Sequence, residues 1–197
     1  MKVFVIGLVV VLILVAGFFG SAFSTRNGII ARDEAANQAW ANVESAYQRR
    51  LDLIPNLVET VKGATKYEGE TMVKITEGRN QILGLAKEFG GALKERDTQK
   101  MESLESALMS SVRVYTGLAA EAYPNLKATD QFTTVMAELE GTENRINVAR
   151  RDYNDAVASL NTTVRQWGWM PLCGGFKTRE PFKASAGAAE APKVNFK

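Results

Sequence analysis

The stretch that most limits this chain is residues 3–23, VFVIGLVVVLILVAGFFGSAF, which holds no charged side chain. About 20 apolar residues, rising 1.5 Å each, cross a hydrocarbon layer of roughly 30 Å. Lipid offers no hydrogen bonds, so a segment lying there must pair its backbone groups internally and is expected to be helical. Lys2 on one flank and Ser24-Thr25-Arg26-Asn27 on the other suit the headgroup zone. The expectation is a retained N-terminal transmembrane anchor over residues 1–26, touching the lipid bilayer through residues 3–23, in a single-pass protein of the cell membrane. A cleaved signal peptide is the alternative. Gly20-Ser21-Ala22 supplies small residues for a cut, but the apolar run is long and its start is not strongly basic. The segment has no cysteine, which excludes lipid attachment of the lipoprotein type. Lys2 competes only with Arg26 and Arg32 under the positive-inside bias, so the side holding the soluble body stays undetermined.

About 170 residues come after the apolar run, enough for one domain. The formal net charge of +2 says less than its distribution. The first 26 residues carry two bases and no acid, and residues 177–197 carry five bases and two acids. That leaves 17 bases and 20 acids between them, a mildly acidic body with basic ends. A nucleic-acid binder would concentrate Lys and Arg on its folded domain, so none is expected as a partner. The sequence has no histidine, which removes the commonest general base and metal ligand and every Ser-His or Cys-His pair. Its one cysteine, Cys173, can form no intrachain disulfide, and labelling it in intact cells is a route to the membrane side.

From Asn27 the pattern turns helical, with Thr25 or Asn27 as a cap. Trp40, Val43, Tyr47, Arg50, Ile54, Leu57, Val61 and Ala64 recur at steps of three and four, which is a bundle seam. Pro55 lies inside this run. Because the stripe keeps its phase across it, a continuous, bent helix is expected, with Asp52 capping a new helix as the alternative. The break at Gly69-Glu70-Thr71, with Thr71 as cap, opens a second helix expected to stop at Gly90-Gly91. A third runs from near Asp97 to the turn at Tyr123-Pro124-Asn125, and a fourth from about Thr129 to Trp167. No useful window alternates with period two. The fold class is therefore all-α, an N-terminal transmembrane helix followed by an antiparallel up-and-down four-helix bundle over residues 27–176. Its first and last helices, about 40 residues each, span roughly 60 Å.

Beyond Trp167, the stretch Gly168–Phe176 is apolar and aromatic but broken by Gly and Pro. It is expected to close the end of the bundle, or else to place Trp167 and Trp169 at the membrane interface, where Trp is favoured and basic residues attract anionic lipid. Residues 177–197 form a basic tail expected to be disordered, dominated from Ala184 by Ala, Lys, Pro and Gly.

The densest polar cluster is Gln48-Arg49-Arg50-Leu51-Asp52-Leu53-Ile54-Pro55-Asn56. If the two long helices run antiparallel with matched ends, facing residues have numbers summing to about 195. That register sets Arg50 against Glu143 and Asp52 near Arg145. A buried or half-buried Arg50–Glu143 pair is expected, fixing helix register, with a charged recognition patch as the alternative. The carboxylates Glu138, Glu140, Glu143, Asp152 and Asp155 hint at metal, but the di-metal bundle signature needs Glu-x-x-His. Asn161-Thr162-Thr163 matches the glycosylation acceptor pattern yet falls mid-helix, and Gly90-Gly91 and Gly174-Gly175 lack the Lys and spacing of a phosphate loop. No catalytic residue, cofactor, metal or small-molecule substrate is assigned.

Several segments resemble the LemA family of bacterial membrane-anchored proteins: Ala39-Trp40-Ala41-Asn42-Val43, RRLDLIPNLVETVKG at 49–63, Ala122–Ala128, TENRINVARRDYNDAV at 142–157, and Gly175-Phe176. The resemblance runs from Asn27 to Phe176 and implies a four-helix bundle behind an anchor, with no catalytic residues to carry over. Two departures touch the membrane-proximal end. Arg26-Asn27 stands where Tyr-Asn is usual, and Trp167-Gly168-Trp169-Met170-Pro171 where Phe-Pro is. Together the motifs mark Arg49, Arg50, Asp52, Pro55, Asn56, Glu143, Asn144, Arg145, Tyr153 and Asn154 as structural or interaction residues. The expected function is that of a non-enzymatic membrane-tethered scaffold or adaptor of the bacterial envelope, with a protein partner or self-association. The alternative is an accessory protein presenting substrates to, or regulating, a membrane metalloprotease.

Overall fold

The computed structural model describes residues 2–64, 70–170 and 172–183. Four α-helices, α1 Lys2–Ala64, α2 Glu70–Glu95, α3 Thr98–Ala122 and α4 Asp130–Trp167, are joined by short connections. A 3-10 turn, Pro124–Ala128, leads into α4. Among the described residues there is no strand. The chain divides into two compact units. One comprises Met1–Ala41 with Arg151–Pro181, the other Asn42–Arg150 with Phe182–Lys197.

The second unit is the four-helix bundle. Its core takes Leu53, Ile54, Leu57, Val58 and Val61 from α1, Ile75 and Ile82 from α2, Leu108, Val112 and Tyr115 from α3, and Phe132 and Leu139 from α4. Pro55 lies within α1, exposed, with no break in the helix. An internal proline costs ~3 kcal/mol. The buried residues flanking it, each worth ~1.5–3 kcal/mol, offset that cost. Tyr115 packs against bare backbone at Gly78, where a Cβ would sit 3.1 Å from the ring. Tyr47 meets Phe89 with ring centroids 4.9 Å apart.

Two expected boundaries are corrected. No cap separates the apolar stretch from the bundle seam, since Thr25 and Asn27 lie inside α1. Gly90-Gly91 does not end α2, which continues to Glu95. Phe89, Ala92 and Leu93 are all buried, and their apolar burial outweighs about 1 kcal/mol lost per helical glycine. The helix stops one turn later, at Arg96, whose φ of 56° is left-handed. The Arg96 N–H donates to Leu93 O and the Asp97 N–H to Ala92 O, closing the end in a Schellman pattern. Asp97 then caps α3, accepting from the Lys100 N–H at 2.9 Å. Of the expected break between α1 and α2, Gly69 lies outside the described residues, while Thr71 is inside α2 rather than its cap.

In the first unit, Trp40 of α1 meets Tyr153 of α4 edge to face, centroids 5.1 Å apart. The Arg32 Nε–H donates to Ser159 Oγ. After Trp167 the chain turns at Gly168, whose N–H reaches Val164 O at 2.8 Å. A Cβ there would meet that same oxygen at 2.6 Å, so only glycine fits. Met170 and Cys173 turn inward, Cys173 lying beside Ala22, while Trp169 and Leu172 face outward. Cys173 is thus buried, and a thiol reporter of membrane side belongs at an exposed residue instead. Pro171 lies outside the described residues.

The expected tail begins at 177, and its first residues are held by the first unit. Asn161, 8% exposed, accepts from the Arg179 N–H and donates to Arg179 O, both at 2.8 Å. The Arg179 guanidinium donates to Asn37 Oδ1 and Asp33 Oδ1. Asn161, which suggested only a glycosylation pattern, thus reads a backbone amide as a neighbouring strand would. The part of the expected disorder covering 184–197 lies outside the described residues.

A left-handed conformation costs a side-chain-bearing residue about 1 kcal/mol. Arg96→Gly is therefore expected to raise stability by roughly that amount in denaturant melts.

Candidate functional site

The bundle unit buries a guanidinium. Arg50, on α1, is 2% exposed. Uncompensated, such a charge costs several kcal/mol in lost hydration. Three donors on that one group are engaged. Nε donates to Thr142 Oγ1 on α4 at 3.0 Å, and Nη1 to Glu105 Oε1 on α3 at 2.9 Å. Nη2 donates to Glu143 Oε2 on α4. Thr142 in turn gives its hydroxyl to Leu139 O.

Glu105 is the hub. Its second oxygen accepts from Tyr47 Oη at 2.9 Å and from Arg150 Nη1 at 3.1 Å. Arg150 Nη2 reaches Glu102 Oε1 at 3.3 Å and Lys183 O at 3.2 Å. Glu102 also accepts from the Lys183 N–H, and the Arg150 guanidinium lies 4.6 Å over the Phe182 ring. Three helices and the segment after Pro181 thus meet through two arginines and three carboxylates. A cleft of about 740 Å³ opens beside them, lined by Glu102, Glu105, Arg113, Glu143, Asn147 and Arg150 among others.

Burial holds the Tyr47 hydroxyl far above the ordinary tyrosine range, and the Glu105 carboxylate pushes the same way. Tyr115 is pushed up to about 12, mainly by burial, with Glu59 raising it further and Arg79 opposing. The neutral Tyr47 phenol donates its hydrogen bond to Glu105 and does not act as a base. Among the described residues no group of His, Cys, Asp and Glu could hold a metal.

The structure brings Arg50 and Glu143 together, with Glu143 half-exposed at 50% rather than in the seam. Thr142 takes the inward position beside it. Asp52 and Arg145 do not pair: Asp52 accepts from Gln48 Nε2 of its own helix. Arg145 and Arg49 instead line a second, smaller pocket. Asn56 is exposed, its carbonyl accepting from Thr60 Oγ1, and Asn144 is exposed as well. Tyr153 and Asn154 belong to the first unit, where Tyr153 Oη donates to Glu180 O. Trp167 and Trp169 are both exposed, and Trp169 Nε1 donates to Gln166 O. The hub Glu105 escaped the sequence reading, which paired only the two long helices. Its signal was present, since Met101, Glu105, Leu108 and Val112 step by four, three and four, placing a carboxylate on the apolar face of α3.

Removing the hub strands Arg50 and Arg150 together. Glu105→Ala is expected to cost ~3–5 kcal/mol in denaturant melts, and Glu143→Ala under about 1 kcal/mol because its carboxylate is half in water. The raised Tyr115 also predicts a pH dependence. Its neutral form is favoured on folding, so its contribution is complete below pH ~10, where the unfolded phenol titrates, and is lost as pH climbs from there through about 12. Denaturant melts across that window are expected to lose stability more shallowly in Tyr115→Phe.

Comparison with known proteins places this chain in a family. The LemA family model matches residues 39–196. The chain is 25% identical to protein LemA of Metamycoplasma hominis over 154 residues, covering 77% of this chain and 65% of that one. It thus spans about two thirds of that relative's length. It is also 25% identical to magnetosome protein MamQ 2 of Paramagnetospirillum magneticum over 195 residues, covering 89% of this chain and 71% of the other. The same identity holds over 191 residues with magnetosome protein MamQ of Magnetospirillum gryphiswaldense, at 87% and 69% coverage. The family match starts one residue before Trp40 and takes in the whole Arg50–Glu105–Arg150 cluster, so the chain belongs to the LemA family.

Proposed function

We propose that this LemA-family chain is a non-enzymatic scaffold or adaptor, tethered to the membrane by the start of α1. One observation carries the tether. The residues of that stretch are apolar on every face and packed against almost nothing, with Phe4 79% and Leu14 67% exposed. The helix is long and apolar enough there to cross a bilayer. In water such a surface is unfavourable at roughly 25 cal/mol per Å².

The scaffold half rests on the polar interior. The buried charges of the bundle answer one another, and the hydroxyls of the cluster are spent on internal partners, Tyr47 on Glu105 and Thr142 on the Leu139 carbonyl. A cluster of that kind locks helices together. The envelope context is part of this proposal and rests on the tether, while the relatives named magnetosome proteins carry similar chains. Trp169, 70% exposed, and the outward Leu172 lie beyond α4 and suit the headgroup layer.

Alkaline carbonate extraction of cell membranes tests the tether. The full chain is expected in the pellet, and a variant lacking residues 3–23 in the supernatant. Recovery of a soluble mature chain starting after Ala22 would overturn the reading.

A further inference from the structure

We propose that the first unit makes a second contact with the bilayer, in which Trp169 and Leu172 enter the interface and Arg26, Arg165 and Lys177 meet anionic lipid headgroups. This contact rests on the tether proposed above, because α1 sets its depth. The Cys173 thiol lies 4.0 Å from the Ala22 carbonyl oxygen, and both residues are wholly buried. Ala22 is one residue short of Phe23, where the uncharged stretch ends. A helix that crosses the bilayer over residues 3–23 therefore carries the turn after α4 at the level where hydrocarbon gives way to headgroups. The outer side of that turn is apolar. Trp169 is 70% exposed and Leu172 48%, while Met170 and Cys173 face inward.

Two details fit lipid rather than water. Trp169 Nε1 already donates to Gln166 O, so the indole can leave water without stranding its donor. Leu172 has a φ of 75°, a left-handed backbone that favours glycine, yet it carries a large apolar side chain turned outward. A loop bathed in water gains nothing from that leucine. The charge at this end is one-sided. Residues 1–32 and 156–179 contain no Asp or Glu. Arg26 lies about one helical turn past Ala22, Arg165 in the last turn of α4, and both are exposed, as is Lys177. Arg32 and Arg179 are instead engaged within the unit, Arg32 by Ser159 and Arg179 by Asp33 and Asn37. Apolar side chains at the hydrocarbon boundary, with bases just outside it, match an anionic lipid surface layer for layer.

The test is tryptophan fluorescence of the full chain reconstituted in phosphatidylcholine vesicles. Part of the lipid is brominated high on the acyl chain, and about one-third is replaced by phosphatidylglycerol in a second set. Flotation of the chain with the vesicles is read on the same samples. Wild-type fluorescence is expected to be quenched, more strongly with phosphatidylglycerol, and Trp169→Phe to remove at least half of that quenching. Leu172→Asp is expected to lower it about twofold. Arg165→Gln combined with Lys177→Gln is expected to abolish the gain from phosphatidylglycerol. These positions are all exposed, so far-UV circular dichroism is expected to stay unchanged. Quenching in Trp169→Phe equal to wild type, or equal quenching in the two lipid compositions, would overturn the proposal, while flotation leaves the tether standing. Shielding of Trp169 from aqueous acrylamide without quenching by lipid would assign the face to a second copy, against the proposal. A chain that does not float overturns the tether and this contact with it.

Discussion

A guanidinium sealed into a helical bundle imposes an obligation that apolar packing does not. Arg50 is almost wholly removed from water, and the hydration it gives up is worth several kcal/mol. It is regained only if acceptors stand at fixed points on the facing helices. Thr142, Glu105 and Glu143 are those points, and they lie on α3 and α4. A slip of any one helix by a turn, about 5.4 Å, would break every one of its contacts to the others. Leucines and valines tolerate such slips far better. The charged cluster therefore supplies register, while the surrounding apolar core supplies most of the burial energy.

Glu105 shows how one carboxylate spreads this constraint. Each of its oxygens serves a different arginine, and one also holds the Tyr47 hydroxyl. Arg150 extends the chain of contacts to Glu102 and to the backbone at Lys183. In the first unit a neutral device does similar work, with the Asn161 amide pairing to both backbone groups of Arg179. Both devices use polar groups that have few alternatives once buried.

Much of this was legible in the amino-acid order. The three–four spacing of Trp40, Val43, Tyr47, Arg50, Ile54, Leu57 and Val61 marked seven positions that are all buried. A charged residue within that stripe announced a partner. The antiparallel register brought Glu143 near it, but register along a helix resolves only about one turn, and Thr142 took the inward place. Glu105 was harder to read because α3 is flanked by connections whose lengths do not fix its register against α1. The end of α2 misled for a different reason. Two glycines looked like a stop, yet the burial of Ala92 and Leu93 carried the helix past them to a non-glycine terminus at Arg96. The seating of Arg179 had no periodic signal at all. It depends on one asparagine facing a segment with no regular structure, and only the three-dimensional arrangement brings those residues together.

The most direct measurement is a double-mutant cycle on Arg50 and Glu105, replacing each by Met singly and together, with unfolding free energies from denaturant melts. Arg50→Met leaves Glu105 with Arg150 as its one arginine, Glu105→Met leaves Arg50 without its buried carboxylate, and the double variant removes both members of the pair while Arg150 keeps Glu102. A coupling of about 2 kcal/mol or more is predicted, the double variant being far less damaged than the two single losses combined. A coupling near zero would mean that the two groups do not depend on each other, and that something other than this pair sets the register of the bundle.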